Sequence, residues 1–410
     1  MALNYIWVGF FLIALAGALL QSFVFGDWAV YERIINGTFT MAKMSVMDIA
    51  LPLCGTMTLW LGIMNIGQKA GAIHFLSRII GPFFAKLFPE IPKDHPVNGE
   101  LVMNFSANIL GLDNAATPLG LKAMNSLQEL NPHKDTASNA QIMFLALNTS
   151  GLTLIPVAIM TQRFVLGASD PTDVFIPLIL STFASTLIAI LYVGIRQRLN
   201  LWNRTVIGTL LGGIVLLGVM LYIFTGMEQK NMVFASKLAS NCLLFGIIIS
   251  FIGVAAYKRV NVYEAFIDGA KNGFNTSVKV IPYLVGMLVA IGVMRDSGAL
   301  EFILSLVKHC FSWLGNTDFV DALPTAIMKP LSGSGAKAMM VETMNNYGVD
   351  SFAGKLSCLF QGAADTTFYI IALYFGSVGI KKTRYAVTAG LVADIGGAIA
   401  AIFIAYAFFY

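Results

Sequence analysis

The sequence predicts an all-α polytopic membrane protein made of two repeated units. Composition, recurrent apolar stretches and an internal repeat lead to this prediction. Of the 410 residues, 57% are hydrophobic and 12% are charged, and the mean hydropathy is +0.74. Ordinary soluble domains carry about 25% charged residues. The composition therefore excludes a typical soluble globular domain.

Apolar stretches long enough to cross a membrane recur along the chain, since roughly 20 residues span the hydrocarbon. The first stretch has no basic segment before it and no small-residue cleavage site followed by a soluble domain. We therefore expect a retained helix and not a cleaved signal peptide. The clearest stretches are 5–25, 46–66, 174–195, 205–224, 238–257, 277–294 and 386–409.

The two units are visible as an internal repeat. Residues 51–64 (LPLCGTMTLWLGIM) align with residues 281–294 (IPYLVGMLVAIGVM) at an offset of 230, sharing a proline, two methionines and a glycine. The match resumes with GAIHF (71–75) against GALEF (298–302). Self-similarity at this distance indicates a duplicated structural unit.

Two polar segments of each unit also correspond in position. SANILGLDNAATPLGLKAM (106–124) corresponds to PLSGSGAKAMMVETM (330–344), and FLALNTSGLTLIP (144–156) to LFQGAADTTFYII (359–371). Each unit is predicted as helix, amphipathic segment, helix, amphipathic segment, broken hairpin, long helix and last helix. The first unit has 5–25, 28–43, 46–66, 71–88, 97–126, 136–164 and 173–198, and the second has 237–257, 262–275, 277–294, 298–314, 320–346, 350–376 and 384–409.

Helix 205–224 has no counterpart and links the units, so we expect three parts: residues 1–200, a linker at 201–230, and residues 231–410. If each hairpin enters and leaves on one side, the unpaired linker turns the second unit upside down. With a cytoplasmic N-terminus, Lys and Arg concentrate inside, which fits the positive-inside tendency. Only scattered basic residues, such as Arg33, Arg163 and Lys230, are then expected on the outer side. We expect about nine spanning helices in a bacterial inner membrane, with re-entrant hairpins and amphipathic interfacial helices.

The first hairpin concentrates hydrogen-bonding groups between two helix breakers, Gly111 and Pro118. Irregular backbone at membrane depth must be buried in protein or line a wet cavity. Asp113 and Asn114 have the chemistry of a helix N-cap. The alternative is that these groups only cap helices and join them together. The predicted substrate-binding residues here are Asn104, Ser106, Asn108, Asp113, Asn114 and Thr117.

The second hairpin, MKPLSGSGAKAM (328–339), is rich in glycine and serine and carries Lys329 and Lys337. Its backbone N–H groups and lysines suit an anion. It is not a Walker A loop, because GxxxxGK[ST] is absent. Lysines at helix ends also snorkel to the interface, so that reading of Lys329 stays open. The predicted substrate contacts are Ser332, Ser334 and Lys337.

NTSG (148–151) and QGAADTT (361–367) interrupt apolar helices beside the hairpins. Asp365 and Asp394 lie within membrane segments, where a carboxylate is costly and indicates function. We predict that both carboxylates couple transport to a proton or cation. The alternative is a structural Asp365 paired with Lys337 or Lys329. The substrate contacts predicted in these two segments are Asn148, Thr149, Gln361 and Thr366.

Other chemistries find no support in the sequence. The four cysteines show no CxxC spacing, and no HExxH motif or paired carboxylate constellation occurs. We therefore predict no enzyme activity, no metal site and no cofactor. The net charge of +4 comes from scattered loop residues and indicates no nucleic-acid surface.

These segments carry a resemblance. NFSANILGLDNAATPLGLKAM followed by FLALNTSGLTLIP is similar to the spore maturation A proteins. PTAIMKPLSGSGAKAM, LFQGAADTTFY and GLVADIGGAI resemble the spore maturation B proteins. The resemblance covers nearly the whole chain and implies a fusion, with the junction at about 200–230. It implies the nucleoside-recognition (Gate) superfamily, which includes concentrative nucleoside transporters and the membrane part of ferrous iron transporter B. It also implies membrane transport, and the spore maturation name implies a role in spore-core dehydration.

The predicted function is a secondary transporter of a small polar solute, whether nucleoside-like, amino-acid-like or an anionic metabolite. Its site would lie near mid-membrane between the broken hairpins. A metal-ion permease or channel and a non-transporting scaffold for envelope or spore maturation are the alternatives. The expected partners are a small-molecule substrate and the lipid bilayer, without nucleic acid. A homo-oligomer of this chain is a further partner that the sequence allows.

Overall fold

The computed structural model describes residues 2–111, 113–200, 203–225, 229–311 and 317–410. The described residues form helices and no β-strand. This confirms the predicted all-α membrane class. Five helical runs of the described chain are long and apolar enough to cross a membrane: Trp7–Phe25, Val30–Ala70, Phe175–Arg196, Phe352–Ser377 and Ala386–Phe409. The total of about nine spanning helices stays a prediction.

The described residues form the following helices, in chain order. The residues expected to form the first unit contain α1 (Ala2–Phe25), α2 (Val30–Met44), a π-helix (Ser45–Ala50), α3 (Leu51–Ala70), α4 (Ala72–Leu87), α5 (Val97–Ile109), α6 (Asp113–Leu130), α7 (Asn139–Thr149), α8 (Val157–Val165) and α9 (Phe175–Arg196). The rest of the chain contains α10 (Arg204–Thr225), α11 (Gln229–Tyr257), α12 (Val262–Asp296), α13 (Ala299–Phe311), a 3₁₀-helix (Asp318–Ala322), α14 (Leu323–Met328), α15 (Gly333–Tyr347), α16 (Phe352–Gly362), α17 (Thr367–Ser377) and α18 (Ala386–Phe409).

The amphipathic segments before α3 and within α12 are not separate helices. The chain from Val30 to Ala70 is one helical run, and α12 continues through Pro282. A π-helix joins α2 to α3, and its last bond runs from the Leu51 N–H to the Val46 carbonyl. Proline has no N–H to donate to a helix. The wider π-turn places Pro52 in the first turn of α3, where this loss is tolerated. The change from amphipathic to apolar sequence therefore marks a change of environment and not a helix boundary.

Helices α3 and α12 pack closely and run in opposite directions. The side chain of Asn65 donates a 2.6 Å hydrogen bond to the carbonyl of Ala265. Gly269 lies against the Leu61 carbonyl, and Gly273 against the backbone of Met57. A side chain at either glycine would collide with backbone, so glycine permits this approach.

This register pairs each helix with its own repeat counterpart. Continued along the helices, it brings residue 50 opposite residue 280, and the internal repeat relates these same positions by its offset of 230. A two-fold axis perpendicular to two antiparallel helices produces this pairing. The pairing supports the inverted arrangement of the two units, which remains a prediction, as do the unit boundaries.

A buried ion network joins α8 to the start of α16. Arg163 is 0% exposed and forms ion pairs of 2.8 Å with Asp173 and 3.0 Å with Asp350. It also donates a 2.7 Å hydrogen bond to the carbonyl of Val349. Lys355 pairs with Asp173 at 2.8 Å. The network therefore connects residues expected to belong to different units.

The two carboxyls of this network differ in their surroundings. Burial raises the pKa of Asp173, although Arg163 and Lys355 act in the opposite direction. Burial also raises the pKa of Asp350, but the N–H of Ser169 and the charges of Arg163 and Lys355 outweigh it. The net pKa of Asp350 is therefore lowered. The ionised form of Asp350 is the one that the fold stabilises.

Candidate functional site

Two broken helices cross in the first half of the chain. One is interrupted between Ile109 and Asp113, where α5 ends and α6 begins, and the other between Thr149 and Val157. The Leu154 N–H donates a 2.7 Å hydrogen bond to the Ile109 carbonyl, so the two interruptions touch. This contact between the interruptions is the first crossing. This bond satisfies backbone groups that the helices leave unpaired.

A second crossing is built from the later segments. Here α14 ends at Met328 before α15, and α16 ends at Gly362 before α17. The Phe368 N–H donates a 3.1 Å hydrogen bond to the Pro330 carbonyl. The two crossings therefore use the same kind of contact, a backbone bond between the interruption of a hairpin and that of the neighbouring helix.

The two crossings are joined to each other. The Asp365 N–H donates a 2.6 Å hydrogen bond to the Thr149 carbonyl. Gly151 has a φ of +59°, and a Cβ at this position would lie 3.1 Å from the Asp365 nitrogen. Glycine therefore suits both the conformation and the close approach, and a Cβ would force the neighbouring backbone to shift. As a result, the interruptions of four helices meet at one place.

A cavity of about 230 Å³ lies at this meeting point. Its wall includes Asn108, Asn148, Gln361 and Asp365, four of the residues predicted from the sequence, together with Lys329. The cavity thus has two amides from the first crossing, and an amide, a carboxylate and an ammonium group from the second. Polar groups of this variety around one small cavity can orient a polar solute.

The two asparagines in the wall are bonded to each other. Asn108 donates a 2.9 Å hydrogen bond to the side-chain oxygen of Asn148. Asn148 in turn donates to the Phe144 carbonyl at 2.9 Å. Tyr374 contacts the same Asn148 oxygen at 3.4 Å, a weak distance for a hydrogen bond. These contacts fix Asn148, while Asn108 retains its carbonyl oxygen for another donor.

Gln361 and Asp365 retain hydrogen-bonding capacity. The Gln361 side chain reaches the Gly333 carbonyl only at 3.5 Å, and its oxygen is buried without a partner among the described residues. One oxygen of Asp365 accepts a 2.7 Å hydrogen bond from the Thr366 N–H. A buried unpaired oxygen costs free energy that a bound donor would recover.

The second intramembrane carboxylate lies beside the cavity. Asp394 is 6% exposed and accepts a 2.7 Å hydrogen bond from the Thr367 hydroxyl. Its other oxygen is buried without a partner in the described part of the chain. Thr367 begins α17 two residues after Asp365, so Asp394 bonds to the helix start that follows Asp365. Asp394 itself is not part of the cavity wall.

Several other predicted residues hold the first crossing together. Asn104, which is fully buried, donates a 2.8 Å hydrogen bond to the Ala116 carbonyl across the hairpin break. Ser106 donates to the Val102 carbonyl at 2.7 Å within its own helix. Thr149 contributes through its carbonyl, whereas its hydroxyl bonds to Ala146 at 3.0 Å. None of the three is part of the cavity wall, and their contact with substrate stays a prediction.

Three predicted residues near the second crossing, Ser332, Ser334 and Thr366, lie at the start of α15. Ser332 caps α15 by accepting a 3.0 Å hydrogen bond from the Gly335 N–H, and its hydroxyl lies 3.3 Å from that of Ser334. Thr366 has a buried hydroxyl close to Gly333. These groups set the start of α15 against the second crossing.

Of the four remaining predicted residues, two lie apart from the cavity wall and two have side chains outside the described residues. Thr117 and Lys337 do not line the cavity, and no ion pair between Lys337 and Asp365 occurs among the described residues. The structure places the start of α6 at Asp113. The side chains of Asp113 and Asn114 lie outside the described residues.

The cavity wall also includes residues that the sequence analysis missed. Thr153 lies in the interruption before α8, and Thr182 lies in α9. Met57 and Leu61 of α3 supply apolar wall. The polar SGLT stretch around Thr153 was a usable signal, whereas a single threonine in apolar α9 was not. No group of three or more described His, Cys, Asp or Glu residues is arranged to hold a metal ion.

Comparison with known proteins identifies a family match over more than half of the chain. The family model described as Gate, nucleoside recognition, matches residues 50–199 and 277–381. These two stretches contain most of the helices that form the crossings.

Two relatives come from Bacillus subtilis (strain 168). Spore maturation protein B is 47% identical over 147 residues, which cover 36% of this chain and 82% of that protein. Spore maturation protein A is 39% identical over 188 residues, which cover 46% of this chain and 92% of that protein. No solved structure matches the chain. The family match spans more than half of the sequence, and the two relatives are consistent with a fused A/B arrangement, so the chain belongs to the nucleoside-recognition, or Gate, family.

Proposed function

We propose that the protein is a bacterial inner-membrane secondary transporter that binds a small polar solute where its two crossings meet. The observation that carries the proposal is the backbone bond between Thr149 and Asp365, which joins two helix interruptions beside a polar cavity. Interrupted helices that meet within the membrane are the usual site construction of secondary transporters. The proposed site residues are Asn108, Asn148, Gln361, Asp365 and Lys329.

The cavity chemistry supports a zwitterionic solute of amino-acid size. Asp365 and Lys329 supply opposite charges, and Asn108 and Gln361 supply amide groups. Small-molecule sites are typically about 300–1,000 Å³, so a cavity of about 230 Å³ is small. A carboxylate and an ammonium group on one compact solute would match both charged side chains.

A nucleoside is the second candidate, because the family description is nucleoside recognition. The cavity would have to widen to accept a sugar and a base. The names of the two relatives attach spore maturation to those proteins. Transport of a solute across the membrane by this chain during spore maturation would be compatible with the proposal.

We assign the coupling of solute transport to an ion gradient to two carboxylates, those of Asp365 and Asp394. Asp365 lies in the cavity wall, and Asp394 has a buried unpaired oxygen behind Thr367. A carboxylate at membrane depth needs a cation, hydrogen bonds or a proton. Loading Asp365 or Asp394 with a proton or cation would link solute binding to an ion gradient.

Uptake by proteoliposomes tests the proposal. Purified protein is reconstituted, a proton or sodium gradient is imposed, and accumulation of radiolabelled alanine or uridine is measured. We expect gradient-driven alanine accumulation by the wild type and its loss in Asp365→Asn. Asp268→Asn is the matched control, since it removes the same charged group from an exposed pair with Lys69. Accumulation at the wild-type level by folded Asp365→Asn protein would remove Asp365 from the mechanism. If the wild-type protein accumulated uridine but not alanine, a nucleoside would be the favoured solute.

A further inference from the structure

A second cavity, apolar and larger, lies next to the first crossing. Its volume is about 450 Å³, and it lies between the start of α4 and the last turns of α11. Phe75, Leu76, Ile247, Phe251 and Val254 form most of its wall. A space with such a wall suits a hydrocarbon chain.

The inner end of this cavity is the crossing itself. Leu110 and Leu154 close it, together with Ile155, which also lines the polar cavity. The Leu154 N–H is the group that bonds to Ile109 at the crossing. A molecule in the apolar cavity would therefore pack directly behind the backbone that shapes the polar site.

The mouth of the cavity opens on a surface suited to lipid. Phe75 is 69% exposed, and Val254 is also exposed. The neighbouring outward residues of α11, including Phe245 and Ile249, are exposed and apolar. The described part of α11 includes the apolar stretch Leu244–Tyr257, and we expect this helix to cross the membrane, where apolar surface faces the acyl chains of the bilayer.

One charged residue lines the cavity, and it stands at the outer end. Lys258 follows the last residue of α11 and donates a 2.7 Å hydrogen bond to the Ala70 carbonyl. An ammonium group has three donors, so this bond fixes Lys258 while leaving donors for another acceptor. The hydroxyl of Ser250, the other polar side chain in the wall, bonds to the Ile247 carbonyl at 2.8 Å.

The length of the cavity matches one leaflet. From Ile247 to Lys258 the helix rises roughly 16 Å at about 1.5 Å per residue. Half of a hydrocarbon core of about 30 Å is similar. A lipid headgroup at Lys258 would therefore place the end of its acyl chain at the first crossing.

We propose that this cavity binds one acyl chain of an anionic bilayer phospholipid, with the headgroup phosphate held by Lys258. Charge complementarity selects the anionic headgroup, and the apolar wall accepts the chain. The bound chain fills the space behind Leu110 and Ile155. The lipid thereby supports the crossing that forms the polar cavity.

Native mass spectrometry tests this proposal. The protein in an uncharged detergent is offered equal amounts of phosphatidylglycerol and phosphatidylcholine with identical acyl chains, and retained lipids are counted. We expect the wild type to prefer phosphatidylglycerol by about fivefold, the factor typical of one basic residue near a membrane surface. Lys258→Gln should bring the preference close to one.

Two further variants separate charge from shape. Arg259→Asn removes the neighbouring positive charge, which does not line the cavity, and asparagine suits its φ of +57°. This control should keep the wild-type preference. Val254→Trp, which narrows the mouth, should lower retention of both lipids. An unchanged preference in Lys258→Gln, or unchanged retention in Val254→Trp, would overturn the proposal.

Discussion

The N–H of Asp365 donates a 2.6 Å hydrogen bond to the carbonyl of Thr149. The two residues belong to sequence segments that correspond in position in the predicted repeat, and both lie at helix interruptions. The bond therefore joins the helix interruption at Thr149 to the one at Asp365. It also places the Asp365 carboxylate in the wall of the polar cavity.

The first prediction concerns Gly151. Gly151→Ala should strongly lower the thermal stability of the purified protein, because its φ is +59° and its Cβ would press on the backbone of Ala364 and Asp365. Gly167→Ala is the control, with a φ of +80° and no atom within 4 Å of a new Cβ. The control carries only the backbone strain, about 1 kcal/mol. Equal Tm losses in the two variants would show that the contact with Asp365 adds nothing.

The second prediction concerns the buried arginine. Arg163→Met removes the cation shared by Asp173 and Asp350 and should cost about 3 kcal/mol, the lower end of the range for breaking a buried pair, because Lys355 still pairs with Asp173. The result should be a large fall in Tm. Arg33→Gln removes a cation from an exposed pair with Asp27 and should leave Tm unchanged. A stable Arg163→Met protein would contradict a structural role for the network.

The third prediction is the pH dependence of the same network. The pKa of Asp350 is lowered below its usual 3.8 in the folded protein. Its ionised form therefore contributes stability above about pH 3.8, and this contribution is lost as the pH falls through the lower folded pKa. In Tm measurements between pH 7 and pH 3, the gap between wild type and Asp350→Asn should be constant at neutral pH and should shrink below about pH 4. A gap that widens with acid would reverse the sign of the argument.

The fourth prediction separates the cavity wall from the structural polar residues. In protein stripped of native cysteines, Asn108→Cys should react with a small polar thiol reagent, because Asn108 lines the cavity. Asn104→Cys should react far less, because Asn104 is fully buried and bonded across the hairpin. Mass spectrometry of the labelled protein measures both rates. Similar rates at the two positions would contradict the placement of the cavity.

Much of the fold could be predicted from the sequence, because helix breakers and apolar length are local signals. The interruptions at Gly111 and near Asp365 were located in this way. The continuity of α2 with α3 could not be predicted, since Pro52 normally indicates a helix start and the π-helix that places it is a backbone adjustment. The roles within the polar clusters also required the structure. Asn104 and Asn108 lie one helical turn apart, yet one bonds to backbone and the other lines the cavity.

The role of Arg163 could not be predicted by counting the charged residues in each loop of the sequence. In the sequence it belongs to the few basic residues assigned to the outer side. The structure buries it completely, because Asp173 and Asp350 approach from distant parts of the chain. Long-range partners of this kind leave no local pattern.

A transport site in the polar cavity must be reached from both faces of the membrane. The most direct measurement uses Gln361→Cys in protein without Cys54, Cys242, Cys310 and Cys358, because Gln361 lines the cavity. Right-side-out and inside-out vesicles are treated with a membrane-impermeant thiol reagent, and labelling is quantified by mass spectrometry. We expect labelling of Gln361→Cys in both orientations. The labelling rate should change when an accepted solute is present. Labelling from one face only, or from neither, under all solute and gradient conditions would contradict it.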